Sequence, residues 1–473
     1  MRFIDLLDKD QKVQVRILMY FLQHAKTIRV KDLNDYMDVS YPTLQKGITA
    51  LADRLYHFEI SAELNRKDSD FLQLSLPHDF SVKNFLYSYL TQALDYRLLV
   101  SIYKEKELTI TKLALDNNLS EASIFRRLKA INQLLDEFNL QFKNKKLYGS
   151  ELQIQFFYFQ LFNGVIPKKY LTSLITNQAI KNLIPVIEDH FQLQFSKKQK
   201  HMLSLHLHIL QRRLDYRKIP QREISESMFR QIEQDHFYQE LDNIFKRFLS
   251  RFALAATGYE VVYLYLFFIT EGLLPQSSQW WKNSPFIQHF LTIDKQIYQT
   301  ITKEEVYDPA FASFLLQNHV KVTFYKGEMN FNYDHQLLLS DIDPQAMNQC
   351  MSLVEKNLSR KVSNAQWEML DHSYGLIWDI HQRRQQKEVL VGVVDDGSLQ
   401  AEEAFRFTRQ TLAGMSHVTV KKAKKKTYDL LIASDGLAIE EYHYHALYYL
   451  TGSLSLFEKE RLEQTVTAII HKK

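Results

Sequence analysis

One cysteine, nine prolines and twelve glycines in 473 residues set the first limits on this chain. The lone Cys350 excludes an intramolecular disulfide and any multi-cysteine metal site, and it fits a reducing cytoplasm. So little glycine and proline argues for a mostly helical protein with short connections. Charge of one sign is also lacking: 59 Lys and Arg face 55 Asp and Glu, a net of +4. That balance does not identify a nucleic-acid binder, so the distribution of charge must decide. The start, "MRFIDLLDKDQK", lacks the charged-then-apolar layout of a signal segment. The greasiest run, "VVYLYLFFIT" (261–270), is too short to span a bilayer and is bounded by Glu260 and Glu271, so it reads as a buried core helix with no membrane partner. What is present is ample apolar content, 45%, in a chain too long for one ordinary core; three or more domains are expected.

The stretch "SEASIFRRLKAINQLLDEF" (120–138) spaces Ile124, Leu128, Ile131, Leu135 and Phe138 along one helical stripe, with Ser120 as N-cap. The same grammar occurs 80 residues earlier without a gap: Leu44, Ile48, Leu51, Leu55 and Phe58 match the stripe, and Val30, Leu33, Val39 and Ser40 match Ile110, Leu113, Leu119 and Ser120. A register shared over this length marks a duplicated supersecondary unit. Each copy reads as a long helix (12–26 and 82–105), a short helix (30–37 and 110–116), a tight turn and a capped long helix, which is a helix-turn-helix. Alternating residues around a polar tip follow in both copies and predict a β-hairpin, making the modules winged.

In a winged helix the second long helix docks in the major groove, where cations meet phosphates and Arg pairs with guanine. The second copy offers Ser123, Arg126, Arg127 and Lys129 on its helix and Lys143, Lys145 and Lys146 on its wing. The first is less basic: Tyr41, Thr43, Gln45, Lys46 and Arg54 on the helix, Arg66 and Lys67 on the wing. Against this stands the reading of such units as protein-interaction modules with ordinary surface charge.

From about 151 to 385 the sequence reads as helices, punctuated by Pro167, Pro185, Pro220, Pro275 and Pro344, and its size suits two helical bundles. A weaker echo, at a shift of 171, sets His201 on His372, Leu205 on Leu376, Ile209 on Ile380 and "QRR" (211–213) on "QRR" (382–384). His206 and His208 lie close by. As metal ligands these histidines lack a carboxylate or cysteine partner at a suitable spacing, so no metal is expected. After 386 the pattern changes. A buried strand (388–394), a helix, strands in "HVTVKKA", "TYDLLIAS" and "HALYYLT", and a closing helix argue for a small α/β unit with a mostly parallel sheet. Its first loop, "DDGS", is a weak phosphate site because two Asp repel anions, and "KKAKKK" (421–426) reads as a solvated strand end. No nucleophile–base pair, Gly-rich phosphate loop or metal spacing supports catalysis or a cofactor.

In order and in length the chain resembles the Mga/AtxA-type virulence regulators of Gram-positive bacteria. "LSEASIFRRLKAINQLL" and "LYGSELQIQFFYFQLF" are similar to that family's second DNA-binding module and its exit. The resemblance implies two winged helix-turn-helix modules (1–78 and 79–160), two phosphotransferase-system regulation (PRD-like) bundles (161–277 and 278–385) and an enzyme IIB-like α/β domain (386–473). It implies a DNA-binding transcription regulator in the cytoplasm. Its partners would be double-stranded DNA, a second copy of itself and the phosphotransferase-system phosphocarriers, with His201, His206, His208 and His372 as candidate phosphoacceptors and Arg212, Arg213, Arg383 and Arg384 as anion partners. One departure is clear: a working enzyme IIB domain keeps a cysteine after its first strand, and here that place reads "VVDDGS". Two alternatives are an RNA-binding antiterminator, which would start with an all-β domain rather than helices, and a phosphocarrier enzyme, which would need that cysteine.

Overall fold

The computed structural model describes residues 1–105, 108–175, 177–214, 224–250, 259–329, 342–358, 361–385, 388–395, 397–415, 417–424, 426–433, 439–450 and 455–472. The sequence-stretch residues 215–220, 251–252, 396, 425, 434 and 451 fall outside them. The chain divides into two compact units, 1–375 and 376–473.

The first unit opens with α1 (Lys9–Gln23), β1 (Thr27–Arg29), α2 (Val30–Met37), α3 (Tyr41–Phe58), β2 (Glu63–Arg66) and β3 (Phe71–Ser75). Then come α4 (Val82–Leu90), α5 (Leu94–Lys104), α6 (Ile110–Asp116), α7 (Glu121–Asp136), β4 (Gln141–Lys143) and β5 (Lys146–Tyr148). The 80-residue repeat is real in space: α2 and α6 start at 30 and 110, α3 and α7 at 41 and 121. β1 joins the first hairpin antiparallel, in the order β1-β3-β2, a strand the sequence pattern did not announce. The expected helix over 82–105 is broken. Thr91 closes α4, and the chain turns to bury Ala93 completely before α5 begins.

Helices continue with α8 (Glu151–Val165), α9 (Lys168–Leu174), α10 (Gln178–Phe191), α11 (Lys197–Leu214), α12 (Glu226–Glu233), α13 (His236–Ser250) and α14 (Tyr259–Thr270). Then follow α15 (Gln279–Lys282), α16 (Pro285–Thr302), α17 (Ala312–Phe324), α18 (Pro344–Leu358) and α19 (Asn364–Gln385). α14 contains the "VVYLYLFFIT" run, which is buried throughout. The stretch 226–250 is two helices, because Asp235 accepts from the Phe237 amide at 2.9 Å and starts α13 afresh. One sequence reading is corrected here. Pro185 does not punctuate the chain but sits inside α10.

Beyond α19, the second unit holds β6 (Val389–Val393), α20 (Leu399–Leu412), β7 (Val418–Lys422), β8 (Thr427–Ala433), β9 (His443–Tyr449) and α21 (Leu456–Lys472). Among the described residues its strands pair in the order β7-β6-β8-β9, all parallel, as the sequence pattern predicts. Val389, Val391 and Val393 share one apolar cluster with Ala404 of α20 and with Leu462 and Val466 of α21. Among the described residues, no helix of the protein is long and apolar enough to cross a membrane.

The close approach of α1 and α3 depends on Gly47. A Cβ there would lie 2.7 Å from Val13 Cγ1 and 3.1 Å from Ile17 Cδ1. Gly47→Leu should therefore overpack this contact and cost about 1–3 kcal/mol, read as a lower midpoint in thermal or urea unfolding of the full chain.

Candidate nucleic-acid interface

α7 is capped as its sequence demands: Ser120 Oγ accepts from the Ser123 amide at 3.3 Å. Its apolar stripe, Ile124, Leu128, Ile131 and Leu135, is buried. The neighbouring arginines divide. Arg126 is exposed; its guanidinium donates to Ser123 Oγ at 3.2 Å, and it has no carboxylate partner among the described residues. Lys129, one turn on, is likewise exposed. Arg127 faces inward instead, 2.6 Å from Asp8 Oδ1 before α1 and 2.9 Å from Asp95 Oδ1 on α5. Burial pushes the Asp95 carboxyl up to about 6, with Arg127 opposing that rise. In the first repeat the place of Arg127 is taken by Gly47. Arg127 is thus a clamp between α7, α5 and the start of α1, a correction to its reading as a groove contact.

The wing is fixed to this helix by one side chain. Asn132 Nδ2 donates to the Phe142 carbonyl at 3.0 Å, and Asn132 Oδ1 accepts from the Phe142 amide at 2.7 Å. β4 and β5 are joined by Asn144 and Lys145, both at positive φ (49° and 65°), the turn that matches the twist of a two-residue hairpin. Lys143, Lys145 and Lys146 are exposed at this tip, and Lys146 has a further partner.

The first module is more self-contained. Tyr41 is 54% exposed, but Thr43 hydrogen-bonds Ser40 at 2.7 Å and Lys46 pairs with Asp10 at 3.3 Å. Gln45 accepts from Arg66, which ties helix to wing; Lys67 is exposed. Arg54 lies 3.7 Å over the Tyr89 ring and donates to the Ser88 carbonyl at 2.8 Å, so it serves packing against α4.

The histidines separate too. His206 is 4% exposed, stacked 4.0 Å from the Phe267 ring, and burial alone pushes its pKa down to about 3; it is a neutral core residue. His201, His208 and His372 are half-buried. Burial first, then Lys168, lowers the pKa of His201; burial and then Arg212 lower that of His208. The expected anion partners of His201 are elsewhere. Arg212 and Arg213 sit about 16 Å further along α11 at 1.5 Å per residue. Arg212 donates to the Tyr103 carbonyl at 3.3 Å and Arg213 pairs with Glu151 at 2.8 Å. Arg383 pairs with Asp379 at 3.1 Å, and Arg384 is also engaged. The 171-residue echo pairs two helices, but Ile209 is fully buried and Ile380 is 39% exposed, so the paired positions do not share an environment. Sequence reasoning missed Asp8, Asp95, Asn132 and Lys168. A lone Asp within "LDYRLLVSIY" was the available signal for Asp95.

A capped helix with outward cations and a hairpin pinned beside it define a helix-turn-helix protein. Residues 78–162 match the Mga helix-turn-helix domain, and residues 181–271 match the PRD domain. The chain is 20% identical over 211 residues to the capsule synthesis positive regulator AcpA of Bacillus anthracis, covering 44% of this chain and 43% of that protein. Over these segments the chain is similar to Mga/AtxA-like regulators, and it spans less than half the length of the curated relative it matches.

Arg127→Ala should leave Asp95 buried without its partner and cost about 2–4 kcal/mol, near the lower edge for buried pairs because Arg127 is partly exposed. Arg126→Ala should stay within about 0.5 kcal/mol of the wild type. Asp95→Leu with Arg127→Met should recover most of the loss. The folded pKa of Asp95 lies above its unfolded value, so this group's contribution is present below about pH 4 and is lost as pH rises through 6. Asp95→Asn should accordingly flatten the fall in thermal midpoint between pH 4 and 6.5.

Proposed function

We propose that this chain is a cytoplasmic DNA-binding transcription regulator whose activity is tuned by histidine phosphorylation from the sugar phosphotransferase system. The observation that carries the reading is the exposed set Arg126, Lys129, Lys143 and Lys145, held on one helix and one wing by Asn132. It lies inside the segment that matches the Mga helix-turn-helix domain. Winged helices of this layout put the second helix in the major groove and the wing on phosphates. In this reading the two helix-turn-helix units form a tandem pair in which the second is the reading head. The AcpA likeness favours a role in virulence gene control. A regulator rather than an enzyme is the reading that fits these features.

Regulation would enter through the bundles. His201 on α11 is the favoured acceptor, with Lys168 as the nearby cation, and His372 on α19 is the second candidate. A phosphoryl group adds roughly −1.5 to −2 charges. α11 is bolted at its far end to the second module, through Arg212 to the Tyr103 carbonyl and through Arg213 to Glu151. A shift of α11 would therefore reach the reading head. In the same reading 1–78, 79–160, 161–277, 278–385 and 386–473 are five domains. The last, an enzyme IIB-like unit without its cysteine, serves self-association. Cys350 does not substitute: it is fully buried in α18 and burial pushes its thiol up to about 12.

Arg126→Ala, Lys129→Ala and Lys143→Ala should each flatten the log–log salt dependence of duplex binding by about one unit. Unchanged slopes in all three would sink the docking assignment. Incubation with purified phosphorelay proteins and labelled phosphoenolpyruvate should place acid-labile label on the wild type, and His201→Ala with His372→Ala should remove it. Label that persists in the double variant would overturn the acceptor assignment.

A further inference from the structure

Phe125 is left out of the core. It is 58% exposed in the second turn of α7, while its neighbour Ile124 is fully buried. On a helix it shares a face with Ala122 and Lys129 and lies beside Arg126, all exposed. The one carboxylate on that face, Glu121, accepts from Thr111 Oγ1 at 2.6 Å and is held against α6. The outward turn of α7 therefore presents a flat apolar ring between two cations. At the matching place in the first repeat stands Gln45, which the wing residue Arg66 occupies. Only the second helix keeps an apolar ring free in this position.

We propose that Phe125 is a specificity-determining residue that packs against the 5-methyl group of a thymine in the major groove; this rests on the DNA-binding reading above. The N-terminal turns of a docked recognition helix are the part that meets base edges. Thymine alone carries a methyl group in the major groove, and Phe is suited to contact it. The flanking cations choose the occupant. Arg126 and Lys129 complement phosphate and guanine, whereas an apolar protein partner would have to bury both of them unpaired. Arg126, next to the ring, would read or clamp the position beside the thymine.

The test uses the full chain. A preferred duplex is selected from random sequence, and each thymine in it is then replaced singly by deoxyuridine, which removes only the methyl. The wild type should lose about fourfold in affinity at one or two positions, the equivalent of one buried methyl at ~0.8 kcal/mol. Phe125→Ala should bind the selected duplex more weakly, with the same salt slope, and should no longer distinguish thymine from uracil at those positions. Wild-type binding that ignores every methyl overturns the proposal, as does a Phe125→Ala variant that keeps the discrimination; in both cases Arg126→Ala would still report whether the DNA reading stands. Absence of duplex binding by the wild type would overturn both together. A changed sedimentation of the free protein in Phe125→Ala, with discrimination intact, would assign the exposed Leu115, Leu119 and Phe125 to a protein contact instead.

Discussion

α8 is buried from Leu152 to Phe159 and again at Leu161, Phe162 and Val165, so neighbouring elements of the first unit enclose it on nearly every face. A helix of that kind has almost no solvent side, so it must be surrounded. Tyr158 donates to the Leu99 carbonyl of α5 at 3.2 Å, Phe157 meets Phe138 at 5.1 Å, and Phe159 meets Phe267 of α14 at 4.9 Å. Glu151 at its first turn holds Arg213 of α11. The helix carries two buried amides, and burying an amide without partners is costly. Gln153 meets this by bonding both the amide and the carbonyl of Lys326, at 2.9 and 2.6 Å, whereas Gln155 donates to Glu151 at 3.2 Å and its Oε1 is left without a partner among the described residues. The helix-turn-helix segment and the bundle helices thereby share one core instead of meeting across a linker.

The strap 325–329 extends that core to the end of α7. Tyr325 stacks on Phe156 at 4.1 Å, the Glu328 amide donates to Glu137 at 3.1 Å, and Gln160 accepts from Met329 at 2.8 Å. Gly327 sits at φ +73° with a Cβ position only 2.8 Å from the Phe138 ring, so any other residue would strain the backbone and push against that ring, two residues past α7. The strap leaves α17, where buried His319 bonds Asp294 at 2.5 Å and the Tyr374 hydroxyl at 2.7 Å. A repacking of α16, α17 and α19 would thus be delivered by contact to the helix that carries Arg126. Contiguity of this kind supplies a physical route between the two regions.

The repeat made the helix-turn-helix unit legible because the same apolar stripes set its helices to the same starts. The parallel sheet was legible because buried strands such as Val389–Val393 are continuous apolar runs. Tertiary placement was not legible. Arg126 and Arg127 are adjacent, and only one of them is three residues after Ile124 and four before Ile131, on the flank of the buried stripe. Helical spacing therefore held the answer for Arg127, but its carboxylate partners, 32 and 119 residues away, gave no local signal. The same holds for His206. Its spacing to His201 and His208 suggested a cluster, whereas packing against Phe267 removed it from the surface. The break before α5 was missed because the helical pattern runs through it, and only burial of Ala93 explains the turn.

The two copies of one supersecondary unit have diverged in opposite electrostatic directions. In the first, a glycine lets α1 and α3 touch, the helix cation Lys46 is answered by Asp10, and the wing cation Arg66 is spent on Gln45. In the second, α5 stands off, and Arg127 fills the gap at the expense of a buried carboxylate. That substitution holds a charge inside, where it orients α7 against α1 and α5. It leaves Arg126 and Lys129 outside with no acid among the described residues to neutralise them. Opposite charges in water at a few ångströms are worth little, but unanswered cations on a rigid helix retain their full attraction for a polyanion. The internal clamp thus fixes the pose of the helix, and the outward cations and ring can meet a groove without first being ordered, which lowers the entropic cost of docking.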